Sequence, residues 1–220
     1  MIGFLETRRR KLQFGLIGVI VALISYLVLM INGLGVGLNE QAGRALRNFD
    51  ADAIAYSDRA GLSVIRSELS AETLERVRTE SGARESAALG YMAVNYRRDD
   101  GRVKSAAVLG FDPGTIGAPP VTAGRGLTPE DANALLADRQ FLKASGLRVG
   151  DSVRLSVRLQ EREFTIVGEL NEGAFFFQPS VYMLRSTWQE MKYGRVDATT
   201  PVASVVLLKG DGLAGKRGQG

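Results

Sequence analysis

Cysteine and histidine are both absent from the 220 residues of this chain. Without cysteine, the chain has no disulfide bond, no thiolate nucleophile and no cysteine-ligated metal. Without histidine, it lacks the usual general base of hydrolases and the commonest metal ligand in proteins. An enzyme built from this sequence would have to rely on carboxylates, lysine or tyrosine alone. We therefore expect no catalytic residues, no cofactor and no metal site.

The basic residues are unevenly placed, although the net charge of +4 gives a sequence pI near 9.5. Four of the 28 lysines and arginines form the run Arg8–Lys11, and Glu6 is the one acidic residue before it. The chain after Asn39 therefore holds 24 basic and 23 acidic residues, a net charge of +1. A nucleic-acid surface would spread lysine and arginine along a face of the folded domain, so we predict no nucleic-acid partner.

Charged side chains are missing over the 28 residues from Leu12 to Asn39, directly after the basic run Arg8–Lys11. A bilayer core of ~30 Å needs about 20 apolar residues in a helix that rises about 1.5 Å per residue. We predict a transmembrane helix over 12–38. The basic segment 1–11 stays in the cytoplasm by the positive-inside rule. This topology predicts a cell-membrane protein in contact with the lipid bilayer, with its main domain outside the cytoplasm.

A cleavable signal peptide is the alternative explanation of this apolar segment. Its apolar core would span only about 7–15 residues and would end in a small-x-small cleavage site. The core here is longer, and the segment has no clean A-x-A sequence. These two observations favour a retained anchor.

Short strand and helix patterns alternate in the remainder of the chain. The predicted strands are 51–56, 87–96, 103–111, 134–137, 153–159, 164–170, 181–184 and 202–208. The predicted helices begin at residues typical of an N-cap, namely Ser70, Thr128, Asp138 and Ser186–Thr187. Short antiparallel hairpins mixed with short helices are typical of the α+β class.

The expected organisation outside the membrane is one extracytoplasmic domain over 39–209, a two-lobed mixed α/β structure. A segment rich in glycine and proline, 114–126, is the expected boundary between the lobes. The Gly-rich end of the chain, 210–220, is expected to be a flexible tail.

Three adjacent aromatic residues, Phe175, Phe176 and Phe177, form the most unusual local feature of the sequence. Successive side chains of an extended chain point to opposite sides, so all three cannot enter one core. One hypothesis is an exposed apolar surface that binds a partner or substrate. The other, equally supported, is a buried loop wedge between the lobes.

Other charged constellations favour ordinary structural roles. Glu161 and Glu163 flank Arg162 at a predicted hairpin tip, where solvated turn charges are more common than an acid–base pair. Asp99-Asp100-Gly101 is a hairpin turn signal between two predicted strands. Lys143 and Ser145 do not face each other, because residues two apart on a helix point in different directions.

Several segments, taken in order, resemble FtsX-like ABC transporter permeases. They are Arg8–Lys11 with the apolar span, Gly33–Gly37, Ala45–Asp52, Gly124–Asp131, Gly146–Asp151, Phe164–Gly168, and Gln178–Met183 followed by Ser186–Trp188. Phe164–Gly168 matches the family's "fxVvGv" strand. The branch that this chain resembles most is that of the macrolide-exporter (MacB-like) and heterocyst-exporter (DevC-like) permeases.

The resemblance implies a MacB-like periplasmic core domain, set between the first and second membrane helices. It also implies a cytoplasmic ABC ATPase subunit as partner, a second permease copy in a dimer, and a membrane-fusion or accessory protein. The implied function is export or mechanotransmission, in which ATP hydrolysis by the partner is coupled to the outer domain. The family's three further membrane helices do not occur in this sequence. We therefore expect a fragment, a truncated gene product or one piece of a split permease.

Two other classes of function are alternatives to this one. The first is a stand-alone, signal-anchored extracytoplasmic binding or scaffold protein. The second is a secreted enzyme, which the absence of histidine, cysteine and a convincing nucleophile disfavours. No G-x-x-x-x-G-K-[ST] sequence occurs, so ATP hydrolysis is expected to belong to another subunit.

Overall fold

The computed structural model describes residues 15–31, 49–61, 63–98, 100–158, 160–171, 178–211 and 213. The chain divides into two units, Met1–Arg44 and Ala45–Gly220. The described part of the first unit is the helix α1 (15–31), whose large apolar side chains are exposed on all sides. Within the described ranges, no helix has both the length and the apolar character of a membrane span. The predicted cytoplasmic segment 1–11 lies outside the described residues.

The described part of the second unit forms nine strands and three α-helices. The strands are β1 (Ala53–Ala55), β2 (Glu85–Arg97), β3 (Val103–Phe111), β4 (Val121–Gly124), β5 (Ala134–Asp138), β6 (Ser152–Val157), β7 (Gln160–Leu170), β8 (Ser180–Leu184) and β9 (Val205–Lys209). The helices are α2 (Ala71–Glu80), α3 (Arg139–Ser145) and α4 (Arg185–Tyr193), and a short 3₁₀ turn, Asp58–Ala60, precedes α2.

Six of the strands close into a barrel. The sheet runs in the order β1-β9-β2-β3-β8-β5-β7-β4, and β6 pairs with both β2 and β7. This double pairing closes the ring β2-β3-β8-β5-β7-β6, in which each strand has a neighbour on both edges. Strands β9 and β1 extend the sheet from the first half of β2, and β4 extends it from the end of β7.

Side-chain alternation along the strands separates the apolar residues into distinct cores. One core takes residues from all six strands of the ring and from α3 and α4: Met92, Val94, Tyr96, Ala106, Val108, Leu135, Ala137, Phe141, Val153, Leu155, Phe164, Ile166, Val181, Met183, Trp188 and Met191. A second core takes intervening residues of β2, β3, β5, β7 and β8, such as Leu89, Leu109 and Leu136, together with residues of β9. A third, which includes Leu74 of α2, packs on β9.

The predicted strands all overlap observed ones, and two predicted helix starts are confirmed. The hydroxyl of Ser70 accepts the backbone N–H of Thr73 at 3.2 Å and caps α2. The carboxylate of Asp138 accepts the N–H of Phe141 at 2.5 Å and caps α3. Local capping chemistry that can be read from sequence therefore sets both starts.

The glycine- and proline-rich segment 114–126 contributes an unpredicted strand, β4, which pairs with β7 in the same sheet as its neighbours. The residues on both sides of this segment belong to one unit, Ala45–Gly220. Of the predicted tail 210–220, the structure describes residues 210, 211 and 213.

The prediction of a hairpin tip at Glu161–Glu163 is wrong. These residues lie inside β7, where Glu163 pairs with Arg154 and Glu161 pairs with Ser156 of β6. The turn falls at Arg158, which adopts a positive φ of 48°. Hydrogen bonds of Arg162 stabilise this earlier start of β7, because its guanidinium donates to the Oδ1 atom of Asn133 at 2.8 and 2.9 Å.

The prediction of a helix that begins at Thr128 is also wrong, because hydrogen bonds of the Asp131 side chain stabilise a turn there. Its carboxylate accepts the backbone N–H of Thr128 at 2.8 Å and forms a bidentate pair with Arg125, at 2.6 and 2.8 Å. The helix that Ser186–Thr187 was predicted to cap exists, but it begins at Arg185, so both residues lie inside it. The hydroxyl of Thr187 donates to the Ala132 carbonyl at 3.2 Å and caps nothing.

Acid is expected to weaken the contribution of Asp131 to stability. Its hydrogen bonds with Arg125 and Thr128 hold the pKa of Asp131 well below the ordinary value of 3.8. A lowered pKa in the folded state stabilises that state above pH 3.8, and the stabilisation is lost as the pH falls further. The difference in free energy of unfolding between wild type and Asp131→Asn should therefore shrink below pH 3.8.

Urea unfolding at a series of pH values between neutral and strongly acidic checks this expectation. Glu80→Gln, at the exposed end of α2, is the control for removal of a carboxylate elsewhere. A difference between wild type and Asp131→Asn that stays constant through acid would contradict the assigned role.

Candidate functional site

The first and last strands of the second unit lie side by side. Strand β1 pairs antiparallel with β9, with Ala53 opposite Leu208. The N–H of Asp52 donates to the carbonyl of Leu208 at 2.9 Å, and the N–H of Gly210 donates to the Asp52 carboxylate at 2.9 Å. The first and last described strands of this unit therefore meet at one edge of the sheet.

Charged side chains reinforce the pairing of these strands. The ammonium group of Lys209 forms an ion pair with Asp50. The hydrogen bond that Lys209 donates to Asp50 is the main cause that raises the pKa of Lys209, and the charges of Asp50, Glu85 and Asp52 add to it. We name this group of Asp50, Asp52, Glu85 and Lys209 the terminal clasp.

Reversal of the charge at Lys209 is expected to open the terminal clasp. Lys209→Glu sets a fourth carboxylate beside Asp50, Asp52 and Glu85, so that repulsion replaces an ion pair. We expect the backbone amides of β1 to exchange with solvent several-fold faster than in the wild type, while those of β3 keep their rates. Hydrogen-exchange mass spectrometry on the full chain in detergent measures both.

The matched control for this experiment is Lys104→Glu, which makes the same charge change on an exposed position of β3. It should leave exchange in β1 unaltered. If Lys209→Glu also left β1 unaltered, the ion pair would have no part in holding the strand.

Strand β9 joins the terminal clasp to the barrel. It lies between β1 and β2, and Val205 pairs with Leu89 of β2. The N–H of Ser204 donates to the Leu89 carbonyl at 2.8 Å, and the Ser204 hydroxyl accepts the N–H of Tyr91 at 3.0 Å. A displacement of the clasp would therefore act directly on β2, which is also a strand of the barrel.

Helix α4 packs against the sheet through Trp188. Gly90 and Gly110 are partners across β2 and β3, and Trp188 is fully buried against both. A Cβ atom on Gly90 would lie 2.2 Å from the indole ring, and one on Gly110 would lie 2.5 Å from the Cβ of Trp188. The helix packs here because paired glycines leave room for the indole.

The start of α4 holds the segment that leads into β9. Arg185 forms an ion pair with Asp112 at 2.8 Å and donates to the carbonyl of Val202 at 3.0 Å. The side-chain amide of Gln189 donates to the carbonyl of Pro201 at 3.1 Å. Helix α4 is thus fastened both to the barrel and to the approach to the terminal clasp.

The end of α4 is fastened to the loop before α2 through Glu68. Lys192 pairs with Glu68 at 3.4 Å, and the hydroxyl of Tyr193 donates to the same carboxylate at 2.9 Å. The Lys192 ammonium also lies 5.2 Å from the ring centre of Trp188. Burial lowers the pKa of Lys192, against the opposing effect of Glu68, and burial raises the pKa of Tyr193. Through these contacts, α4 connects the barrel with the loop before α2 and with the segment before β9.

The residues singled out from sequence do not assemble into one site in the described part of the chain. Phe175, Phe176 and Phe177 lie outside the described residues. Glu161 and Glu163 line a surface groove together with Ser145, whose hydroxyl donates to the Phe141 carbonyl at 2.8 Å. Asp100 pairs with Arg102 at 2.7 Å. Among the described residues, no cluster of acidic side chains has the grouping of a metal site.

Sequence reasoning missed the terminal clasp and the seat of Trp188. Asp50 and Lys209 are far apart in sequence, so no local pattern could have joined them. Gly90 and Gly110 did carry a signal, because a glycine inside an apolar strand marks a close approach of another element.

Comparison with solved structures finds the same fold in extracytoplasmic domains of transporters. The extracellular domain of the noncanonical ABC-type transporter YknZ from Gram-positive bacteria is 15% identical, with a TM-score of 0.50 over 72% of this chain and 82% of that chain. The periplasmic region of MacB from Actinobacillus actinomycetemcomitans is 16% identical, with a TM-score of 0.51 over 72% of this chain and 74% of that chain. Comparison with curated protein sequences gives no match.

Comparison with protein families identifies the domain itself. The family model of the MacB-like periplasmic core domain matches residues 16–210, which is most of the chain. This match confirms the resemblance to MacB-like permeases that the ordered motifs predicted. The chain belongs to the MacB-like periplasmic core domain family.

Proposed function

We propose that this chain is the membrane-anchored outer part of an ABC transporter permease. In this proposal, ATP hydrolysis by a cytoplasmic partner subunit is coupled to movement of the outer domain, for export or mechanotransmission. Family membership supports the proposal, as does the likeness in fold to domains of MacB and of the ABC-type transporter YknZ.

The terminal clasp is the observation that carries this proposal. When a domain is inserted between two membrane helices, the chain must enter and leave the domain on the same side, the side that faces the membrane. Strands β1 and β9 meet this requirement, because they pair antiparallel and their outer ends are joined by Asp50, Asp52 and Lys209. A pull on either end reaches both strands and, through β9, the barrel strand β2.

A membrane anchor is part of the proposal. The segment 12–38 carries no charge and follows a basic run. Helix α1 is apolar on all sides, and such a helix needs an apolar environment rather than water. We place segment 1–11 in the cytoplasm and the second unit outside it.

In this account, the chain itself catalyses nothing. ATP hydrolysis belongs to the cytoplasmic ABC ATPase subunit, and the chain works with a second permease copy and an accessory protein outside the membrane. Movement of the ATPase would reach the outer domain through the anchor and the terminal clasp.

Labelling of single cysteines in intact cells tests the location. The natural chain has no cysteine, so Thr7→Cys and Arg76→Cys each carry one thiol. A membrane-impermeant maleimide should label position 76 in intact cells, and position 7 only after permeabilisation. A protected position 76, or a second unit found free in the medium, would contradict the proposal.

Purification from the native membrane tests the partner. The tagged full chain, extracted in mild detergent, should bring down an ATPase with a Walker A motif. Retention in the membrane without any ATPase would favour the stand-alone anchored binding or scaffold protein instead.

A further inference from the structure

A surface groove opens where β2 and β6 separate. Their pairing consists of two residue pairs, Asn95 with Ser156 and Tyr96 with Leu155. The same register would set Arg97 opposite Arg154, yet these two residues line a groove of about 410 Å³. Like charges directly opposite each other destabilise a strand pair. Repulsion between the two arginines in that register would favour separation of the strands at this point.

Backbone groups line both sides of this groove. Strand β2 continues to Arg97 in its pairing with β3, and residues 152–154 of β6 continue in their pairing with β7. Within the described strands, the facing edges of these two segments have no strand partner. An unpaired edge offers backbone donors and acceptors to an extended chain.

Three arginines line the groove and keep unused donors there. Arg98 carries a buried Nε atom that has no hydrogen-bond partner among the described residues. Its Nη1 atom lies 3.5 Å from Asp100, and the Nε atom of Arg154 lies 3.6 Å from Glu163. Arg97 donates one bond, at 3.3 Å, to the carbonyl of Gly101. A guanidinium has five donors, so Arg97 and Arg154 can each bind a further anion.

The charge of the groove favours an anionic ligand on the arginine side. Arg97, Arg98 and Arg154 face two carboxylates, those of Glu161 and Glu163. An anion held between Arg97 and Arg154 would also relieve the repulsion between them.

We propose that this groove binds an extended acidic peptide segment of a partner protein. The segment pairs as a strand with the free edge of 152–154, and one of its carboxylates lies between Arg97 and Arg154. An edge of three residues is about 10 Å long. Strand addition of this kind takes its affinity from backbone hydrogen bonds and its selectivity from side-chain contacts. The unpaired backbone edges favour a peptide over a small free anion, which could use only the arginines.

Fluorescence anisotropy with the full chain in detergent tests the proposal. The probe is a labelled hexapeptide of alternating valine and glutamate, and the control peptide replaces each glutamate by glutamine. We expect saturable binding of the acidic peptide, weakened by added salt. We expect no saturable binding of the glutamine peptide. Equal binding of both peptides, or no binding of either, would overturn the proposal.

Two variants locate the binding. The double substitution Arg97→Ala and Arg154→Ala should weaken binding about tenfold or more, because it removes charge-assisted hydrogen bonds. Arg76→Ala, on the exposed face of α2, is the matched control and should leave binding unchanged. If the double alanine variant does not fold, the double lysine variant keeps the charge and loses the bidentate geometry. It should bind more weakly than the wild type. Unchanged binding in a folded double variant would overturn the proposal.

A competition experiment distinguishes the binding of a peptide from the binding of a free anion. Glutarate carries the carboxylates without a peptide backbone, so it should displace the probe poorly. Displacement by glutarate as effective as by unlabelled peptide would overturn the assignment to a peptide and leave a simple anion site.

Discussion

Substitution of Gly110 by alanine is expected to lower the free energy of unfolding by about 3 kcal/mol, the upper part of the usual range for overpacking. The added Cβ would lie 2.5 Å from the Cβ of Trp188, 2.8 Å from its Cγ and 3.2 Å from the Cα of Arg185. Trp188 is fully buried, and Arg185 is held by Asp112 and Val202. Neither can move away without the loss of other contacts, so α4 has to shift.

The one tryptophan of the chain, Trp188, reports on this site directly. Urea unfolding of the full chain in detergent, followed by its fluorescence, measures the change. The matched control is Gly126→Ala, where an added Cβ meets nothing within 4 Å. It should change stability by no more than about 0.5 kcal/mol.

A second pair of variants tests the seat of Trp188 through its ring. An added Cβ at Gly90 would lie 2.2 Å from the indole, so in the Gly90→Ala background Trp188→Leu should cost less than it does in the wild type, because it also removes the ring that the Cβ meets. Circular dichroism replaces fluorescence in this comparison. Strict additivity of the two changes would contradict the assigned contact.

Substitution of Asp138 by alanine is expected to lower the free energy of unfolding by about 3 kcal/mol, since it removes the acceptor of two buried N–H groups, at about 1–3 kcal/mol for each lost bond. The carboxylate is fully buried. It accepts the N–H of Phe141 at 2.5 Å and that of Ser180 at 2.9 Å, and so joins the start of α3 to the start of β8. Burial raises the pKa of Asp138, and these hydrogen bonds oppose the rise.

The asparagine variant separates acceptor loss from volume loss. Asp138→Asn keeps one acceptor oxygen, but its amide group faces the second N–H. We expect it to lie between wild type and Asp138→Ala in urea unfolding. An asparagine variant as stable as the wild type would show that one of the two hydrogen bonds contributes nothing.

Much of the local structure could be predicted because it depends on neighbours in sequence. Val153 and Leu155 alternate with polar residues, which is enough to predict β6. Ser70 and Asp138 cap their helices through groups three residues away. The same local rule failed at Thr128, because Arg125 and Asp131 form a tighter arrangement that stops the helix.

The barrel and the terminal clasp could not be predicted, because they depend on contacts between distant residues. The barrel closes where Asn95 meets Ser156, and the clasp joins Asp50 to Lys209. Strand patterns give the face of each residue, but not which strands become neighbours. The packing site of Trp188 could be predicted in part from the sequence, since Gly90 and Gly110 interrupt two apolar strands.

The most direct test of the proposed coupling is a distance measurement between two copies of the chain. Spin labels at Arg76→Cys, on α2 of the outer unit, would be measured by pulsed electron paramagnetic resonance in the complex with the co-purified ATPase. We expect the distribution of distances between the labels to change when ATP hydrolysis is trapped with vanadate. We also expect Lys209→Glu, which opens the terminal clasp, to reduce the change. A distribution that stays the same while ATP is hydrolysed would rule out the proposed coupling.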